Sequence, residues 1–270
     1  MNKLDISGLV SVASRLRMLT IESLYAAGSG HAGSSLSIAD LVAALYFHEM
    51  KTQGDDRDRL VLSKGHAVPV IYAALAELGL IEKEELQTLR QTKSRLQGHP
   101  DMTRLPYLDA GTGALGQGVS IAIGYALAAR LKQSSSRTYC ILGDGEIQEG
   151  QIWEAAMYAG AAKMNNLCLI LDANGLQNET WVADTLEIEP IADKWKSFGW
   201  QVAAIDGHHM EAIIEALEQA RKTTDKPFLV LAKTVKGKGV PFMENNNIWH
   251  GKTLSEEDYH AAVEALSAQV

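Results

Sequence analysis

Between Tyr139 and Ala232 the chain alternates short apolar runs with helical spacing, and no other feature restricts its fold as much. Tyr139 to Leu142, Leu167 to Leu171, Gln201 to Ile205 and Phe228 to Ala232 read as strands. Between them, Gln151 to Ala162, Ile191 to Phe198 and Met210 to Arg221 place apolar residues at helical spacing. Strands joined by helices lie parallel, because each crossover returns the chain to the same sheet edge in the same direction. The expected fold class is therefore α/β: a doubly wound parallel sheet with helices on both faces. Ligands of such sheets bind at the carboxyl ends of the strands.

The first half supplies more pieces. Leu9 to Ala27 predicts a helix that stops at Gly28-Ser29-Gly30, just before His31, and Ser37 to His48 predicts a second. After a charged turn over Asp55 to Arg59, a short strand from Leu60 to Leu62 runs into Ser63-Lys64-Gly65-His66. Val70 to Leu80 and Lys83 to Leu89 read as helices, and Gln117 to Leu131 as a small-residue helix suited to close packing. The irregular stretch between them, Lys93 to Leu115, is long enough to mark a functional loop. Lys233 to Trp249 reads as a surface loop and Ser255 to Ala268 as a final helix. With no repeat and no low-complexity linker, residues 1–270 are expected to form one domain.

Charge and composition exclude some partners. A net charge of −8 gives no basic field, so nucleic acid and anionic membranes are not expected partners, and any anionic ligand must be held locally. The longest uncharged apolar run, Ala67 to Ala76, is broken by Pro69 and falls short of the ~20 residues of a membrane span. The first residues mix Asp5, Arg15 and Arg17 into the apolar positions, unlike a secretory leader, so a cytoplasmic location is expected. Cys140 and Cys168 sit in strand candidates and read as core residues of a reducing compartment.

Chemistry concentrates where strands end. The strand from Tyr139 runs into Gly143-Asp144-Gly145-Glu146, and a helix follows. Glycines let the backbone approach a ligand, free N–H groups face an anion, and the carboxylate offers a hard oxygen to a cation. One strand later comes Asp172-Ala173-Asn174-Gly175. On neighbouring strands Asp144 and Asn174 reach the same point, where two protein oxygens, a nearby carbonyl, water and phosphate oxygens complete an octahedral Mg2+. Each sequence alone is a common turn former; their pairing at the ligand end of the sheet gives the reading its weight. His31, His66, His99, His208 and His250 each adjoin a glycine at an element end or in a loop, where imidazoles can donate to hydroxyls and pass protons near neutral pH.

Gly143-Asp144-Gly145 followed by Asn174 resembles the thiamine diphosphate motif. The whole chain resembles the N-terminal, diphosphate-binding part of transketolases, through Ser29 to Gly33, Leu62 to His66, Gly98 to Pro100, Thr112 to Gly118, Asp144 to Gly150, Asp206 to His208 and Lys233 to Gly237. The resemblance implies thiamine diphosphate with Mg2+ (or Ca2+ or Mn2+) as cofactors, with Asp144, Asn174 and the Leu176 carbonyl on the metal. It implies cofactor contacts from His66, Gly113, Ala114, Leu115, Gly143, Asp144, Gly145, Glu146, Asn174 and Leu176. His31, His66, His99 and His250 would be the catalytic histidines of the substrate channel, and Glu149 would lie near a two-fold axis and couple two sites.

The chain departs from the family at Ala114, where proline is usual, and at Asn247, near the place of the first of two loop histidines, of which only His250 is kept. The glutamate that thiamine catalysis needs at N1′ comes in this family from a second, pyrimidine-binding domain, which is expected here on a separate C-terminal subunit, in a heterotetramer of two chain types. The implied activity is transfer of a two-carbon ketol unit between a ketose phosphate and an aldose phosphate. Alternatives are a subunit of another thiamine enzyme, of the 1-deoxyxylulose 5-phosphate synthase or 2-oxo acid dehydrogenase type, or a non-catalytic thiamine diphosphate-binding regulatory protein.

Overall fold

The computed structural model describes residues 3–268; the two outermost residues at each end of the expected 1–270 domain lie outside them. Strands β1 (Arg59–Leu62), β2 (Thr138–Gly143), β3 (Leu167–Ala173), β4 (Gln201–Asp206) and β5 (Phe228–Lys233) form one sheet in the order β1-β2-β3-β5-β4. All four pairings are parallel, as the helical crossovers require. The register sets Gly143 beside Asp172 and Asp172 beside Ala232, which aligns the carboxyl ends of β2, β3 and β5.

The central strand shows why its sequence is apolar throughout. Cys168 and Ile170 of β3 enter the core on one face of the sheet, while Leu167, Leu169 and Leu171 enter the core on the other. The same alternation in β2 sends Tyr139 and Ile141 to the first face and Cys140 and Leu142 to the second. The sheet thus separates the two thiols, both free and buried.

On the first face pack α1 (Ile6–Ala27), α3 (Ala39–Ala44), α4 (Val68–Glu77), α9 (Met210–Lys222) and α10 (Glu256–Ser267). On the second pack α5 (Gln117–Leu131), α6 (Gly150–Ala161), the short α7 (Val182–Thr185) and α8 (Ile191–Ser197), so helices cover both faces as expected. Helix α1 is capped by Asp5, which accepts from the Gly8 amide at 2.8 Å. It buries a stripe of Leu9, Val12, Leu16 and Leu24, and ends at Gly28 in the left-handed region.

Three segments differ from the sequence reading. The helix expected over Ser37 to His48 starts two residues later, as α3, and closes in a π-helical turn over Leu45–Glu49, while a separate short helix, α2 (Ala32–Leu36), precedes it. The break at Ser37 lets its hydroxyl donate to Asp172 of the central strand at 2.8 Å. Lys83–Thr88 is a 3-10 helix, with only Leu86 buried. Lys233 to Trp249 is not a surface loop: Thr234, Lys236, Val240, Met243 and Trp249 are all buried. Its polar composition misled because those polar groups bond inside the protein. A Cβ at Gly33 would stand 3.0 Å from Lys236 Cγ and from the Trp249 carbonyl, so the segment crosses against the backbone of α2.

The long stretch from Lys93 to Leu115 carries no helix or strand and is tied down at its far end. There the Asp109 carboxylate accepts from Arg57 (2.6 Å), Arg59 (2.9 Å) and the Leu60 amide (2.9 Å). Among the described residues no helix is long and apolar enough to cross a membrane.

Candidate active site

The carboxyl ends of β1, β2, β3 and β5 deliver Ser63 to His66, Gly143 to Glu146, Asn174 to Gln177 and Thr234 to Lys236 to one region. A Cβ at Gly118 would lie 2.6 Å from Ser63 Cα, so α5 packs directly on the loop that leaves β1. A cavity of about 400 Å3 opens there, lined by His31, Ser34, Lys64, His66, His99, Gly113, Leu115, Gly143, Asp144, Gly145, Glu146, Glu149, Asn174, Leu176, Gln177 and His250 among others. Of the residues expected in the site, only Ala114 lies outside this lining. It borders an adjoining hollow of about 720 Å3 that shares His99 and Gly113.

Four histidines from four segments meet at the cavity. The His31 ring lies 5.1 Å from His66, 5.2 Å from His250 and 6.2 Å from His99, and His66 lies 5.0 Å from His250. Burial, with Arg90 adding to it, pushes His31 down to about 4. Burial and Lys236 push His250 down to about 3, and burial and Lys64 hold His66 well below its ordinary 6.5. Burial and Arg90 also lower His99. The cluster is therefore neutral at physiological pH, a set of hydrogen-bonding groups rather than of cations. Lys236 Nζ can only donate to His250 Nδ1, at 2.8 Å, which leaves the His250 proton on Nε2. His31 Nδ1 is buried with no hydrogen-bond partner among the described residues.

These shifts imply a pH dependence of stability. Because His31 sits at about 4 when folded against 6.5 in a model peptide, the unfolded chain binds its proton first as pH falls. Its contribution is complete above 6.5 and is lost between 6.5 and about 4. In His31→Asn the fall of Tm over that window should be shallower than in the wild type; parallel slopes would show that His31 titrates as an ordinary imidazole.

His208 stays out of the cluster. Its Nδ1 pairs with Asp40 at 2.7 Å and its Nε2 accepts from the Val235 amide at 2.8 Å, which anchors the segment after β5 to α3.

The two turns come together as the sheet register requires. The buried Asp144 carboxylate accepts from the amides of Gly145 and Gly175, the latter next to Asn174. Asn174 Oδ1 accepts from the Leu176 amide at 3.0 Å. Burial and the nearby Asp172 push the Asp144 carboxyl up to about 6. Among the described residues no group of three His, Cys, Asp or Glu converges to hold a metal. What the turns offer is one carboxylate, one amide oxygen and carbonyls, hard donors of the kind that Mg2+ takes when it shares its shell with phosphate. The donor set fits such an ion.

Some expected residues have other commitments. The Leu176 carbonyl accepts from Lys236 Nζ at 3.0 Å, as does that of Gln177 at 3.2 Å. The Glu146 carboxylate points inward, accepting from Ser63 Oγ, the Gly116 amide (2.8 Å) and the Gly143 amide (3.1 Å), so it braces the cavity floor. Glu149 is exposed at the N-cap position of α6 and makes no side-chain capping bond. Asn247 Nδ2 donates to the Glu179 carbonyl.

Sequence reasoning missed Lys64, Asp172 and Lys236. All three are buried: Lys64 pairs with Asp172, and among the described residues the Lys236 ammonium bonds only carbonyls and His250. Burial and Lys64 pull the Lys236 ammonium down to about 8. A buried ammonium with no carboxylate of its own, beside a cavity, suits an anionic ligand. The signal was their position next to strand ends, where a lysine otherwise reads as solvated.

Comparison with known proteins bears on these features together. The sequence matches the family model for the transketolase, thiamine diphosphate binding domain, over residues 10–269. It is 44% identical over 262 residues to the 6-deoxy-6-sulfo-D-fructose transketolase subunit SqwG of Clostridium sp. (strain MSTE9), covering 95% of both chains. It is 39% identical over 267 residues to one of the apulose-4-phosphate transketolase subunits of Phocaeicola vulgatus, covering 97% of this chain and 94% of the other. The crystal structure of Campylobacter jejuni transketolase superposes with a TM-score of 0.90 at 36% identity, over 98% of this chain but 43% of that one. The chain thus spans less than half the length of that transketolase. Matched from end to end in both sequence and fold, it belongs to the transketolase family and corresponds to its thiamine diphosphate-binding domain.

Proposed function

We propose that residues 1–270 form the single diphosphate-binding domain of a two-chain transketolase, which moves a two-carbon ketol unit from a ketose phosphate or a similar anionic ketose to an aldose phosphate. The observation that carries this reading is the meeting of the Asp144 and Asn174 turns beneath four neutral histidines in one cavity. The two relatives matched over nearly their full length are both named as subunits, which supports a partner chain that carries the pyrimidine-binding domain and its glutamate. In this reading the assembly is a heterotetramer with Glu149 near its two-fold axis, and the exposed position of that carboxylate is in keeping with such a place. Two free, buried thiols are in keeping with a cytoplasmic setting, and ketol transfer between sugar phosphates would place the protein in carbohydrate metabolism such as the pentose phosphate interconversions.

In this reading Asp144, Asn174 and the Leu176 carbonyl hold Mg2+ (or Ca2+ or Mn2+), and thiamine diphosphate, when bound, supplies the carbon to which the ketol unit is transferred. Gly113, Ala114 and Leu115 cradle the cofactor with backbone groups, Gly143 and Gly145 let it approach the sheet, and Glu146 holds their turn in shape. His66 contacts the diphosphate and the reacting oxygen. His31 and His99 donate to the hydroxyls of the donor sugar. His250, with its proton on Nε2, donates to a substrate oxygen in place of the first loop histidine, since Asn247 is turned toward Glu179.

The test is a coupled ketol transfer assay on this chain alone and mixed with the product of the adjacent reading frame, with thiamine diphosphate and Mg2+. Xylulose 5-phosphate, 6-deoxy-6-sulfofructose and apulose 4-phosphate serve as donors and ribose 5-phosphate as acceptor. Turnover only in the mixture is expected, and the best donor names the substrate. Turnover by the chain alone would overturn the two-chain reading; silence with every donor would favour a binding protein.

A further inference from the structure

Asp172 has no assigned role, yet four side chains from different segments converge on its fully buried carboxylate. Lys64 donates to Oδ2 from the end of β1, Ser37 donates to the same oxygen at 2.8 Å from the break before α3, and Thr234 donates to Oδ1 from the end of β5. The fourth donor is Asn174 Nδ2, at 2.8 Å from Oδ2. A carboxylate so subscribed, with no face to the cavity, is no ligand for anything that enters the site.

We propose that Asp172 is a positioning residue for Asn174: by taking the amide N–H it fixes which end of the side chain is presented to a cation shared with a phosphate. The two ends of an amide are alike in shape, and only their hydrogen-bond partners decide between them. An ionised carboxylate accepts and cannot donate, so turning Asn174 over would set oxygen against oxygen. Lys64, Ser37 and Thr234 in turn keep Asp172 ionised and still. The carbonyl end of Asn174 is left facing the Leu176 amide, with a lone pair to spare for a cation. The inference rests on the reading of Asn174 as a cation ligand.

The test is the Mg2+ affinity of the assembled enzyme at saturating thiamine diphosphate, measured by calorimetry. Replacing the ion pair by an apolar pair, Asp172→Leu with Lys64→Met, removes the acceptor without stranding a buried charge. Mg2+ binding should weaken about tenfold or more, the usual cost of losing an outer partner of a metal ligand. Adding Asn174→Asp in that background should recover most of the loss, because a carboxylate presents oxygen from either end. A loss of less than about twofold, or no recovery, would overturn the proposal. If the paired variant does not fold, Asn174→Asp alone decides. Facing Asp172 it should weaken Mg2+ binding, whereas an added charge that tightened it would show that Asp172 does not face that position. Asn174→Ala separates the two claims: unchanged Mg2+ binding would remove Asn174 from the cation site altogether, while a loss there beside an unaffected Asp172 variant would sink the positioning role alone.

Discussion

Asp144→Ala is expected to abolish Mg2+-dependent binding of thiamine diphosphate, with affinity falling by about a hundredfold or more. Asp144 is the only carboxylate in the donor set formed by the two turns, and among the described residues its oxygens otherwise meet only the amides of Gly145 and Gly175. Without it a divalent ion would be held by an amide oxygen and carbonyls alone, which cannot offset the dehydration of so strongly hydrated an ion. The local cost to the fold is limited to two hydrogen bonds of about 1 kcal/mol each. Circular dichroism should therefore show a folded chain while calorimetry shows no metal-dependent heat. Retained binding would move the cation elsewhere. Asn174→Ala should act in the same direction but more weakly, since it removes a neutral ligand.

His99→Ala should separate binding from turnover. The ring stands at the outer side of the histidine cluster, 6.2 Å from His31, and packs over Gly113 rather than over the Asp144 turn. Cofactor affinity should stay within about threefold, because the backbone groups around Gly113 and the cation site remain, while kcat falls about a hundredfold, as for loss of a positioned proton donor. Equal losses in both would place His99 on the cofactor instead of the substrate. The same measurement on His66→Ala should show both losses together, since His66 lies deeper, beside Lys64.

How much of this was legible in the sequence follows from the range of each interaction. The apolar runs of β2 and β3, the helical spacing of α5, α6 and α9 and the glycine stops are patterns of period 2 or 3.6, written within a few residues of the element they form. The meeting of Asp144 with the Asn174 turn was legible too, because consecutive parallel strands commonly lie side by side, and β2 and β3 do. The turn at Ser37 between α2 and α3 was not, because the partner of its hydroxyl lies on a distant strand.

The sequence by itself determined the sheet, its helical layers, the two ligand turns and the glycine-flanked histidines, since each is set by local spacing and by residue chemistry. Only the tertiary structure decided that β5 lies between β3 and β4, which carries Thr234 and Lys236 to the cavity and turns an apparent surface loop into part of its wall. It alone paired Lys64 with Asp172, residues 108 positions apart, and excluded His208 from the histidine cluster. A buried charge is tolerated only where its partner is, and no local pattern records where a distant partner will lie.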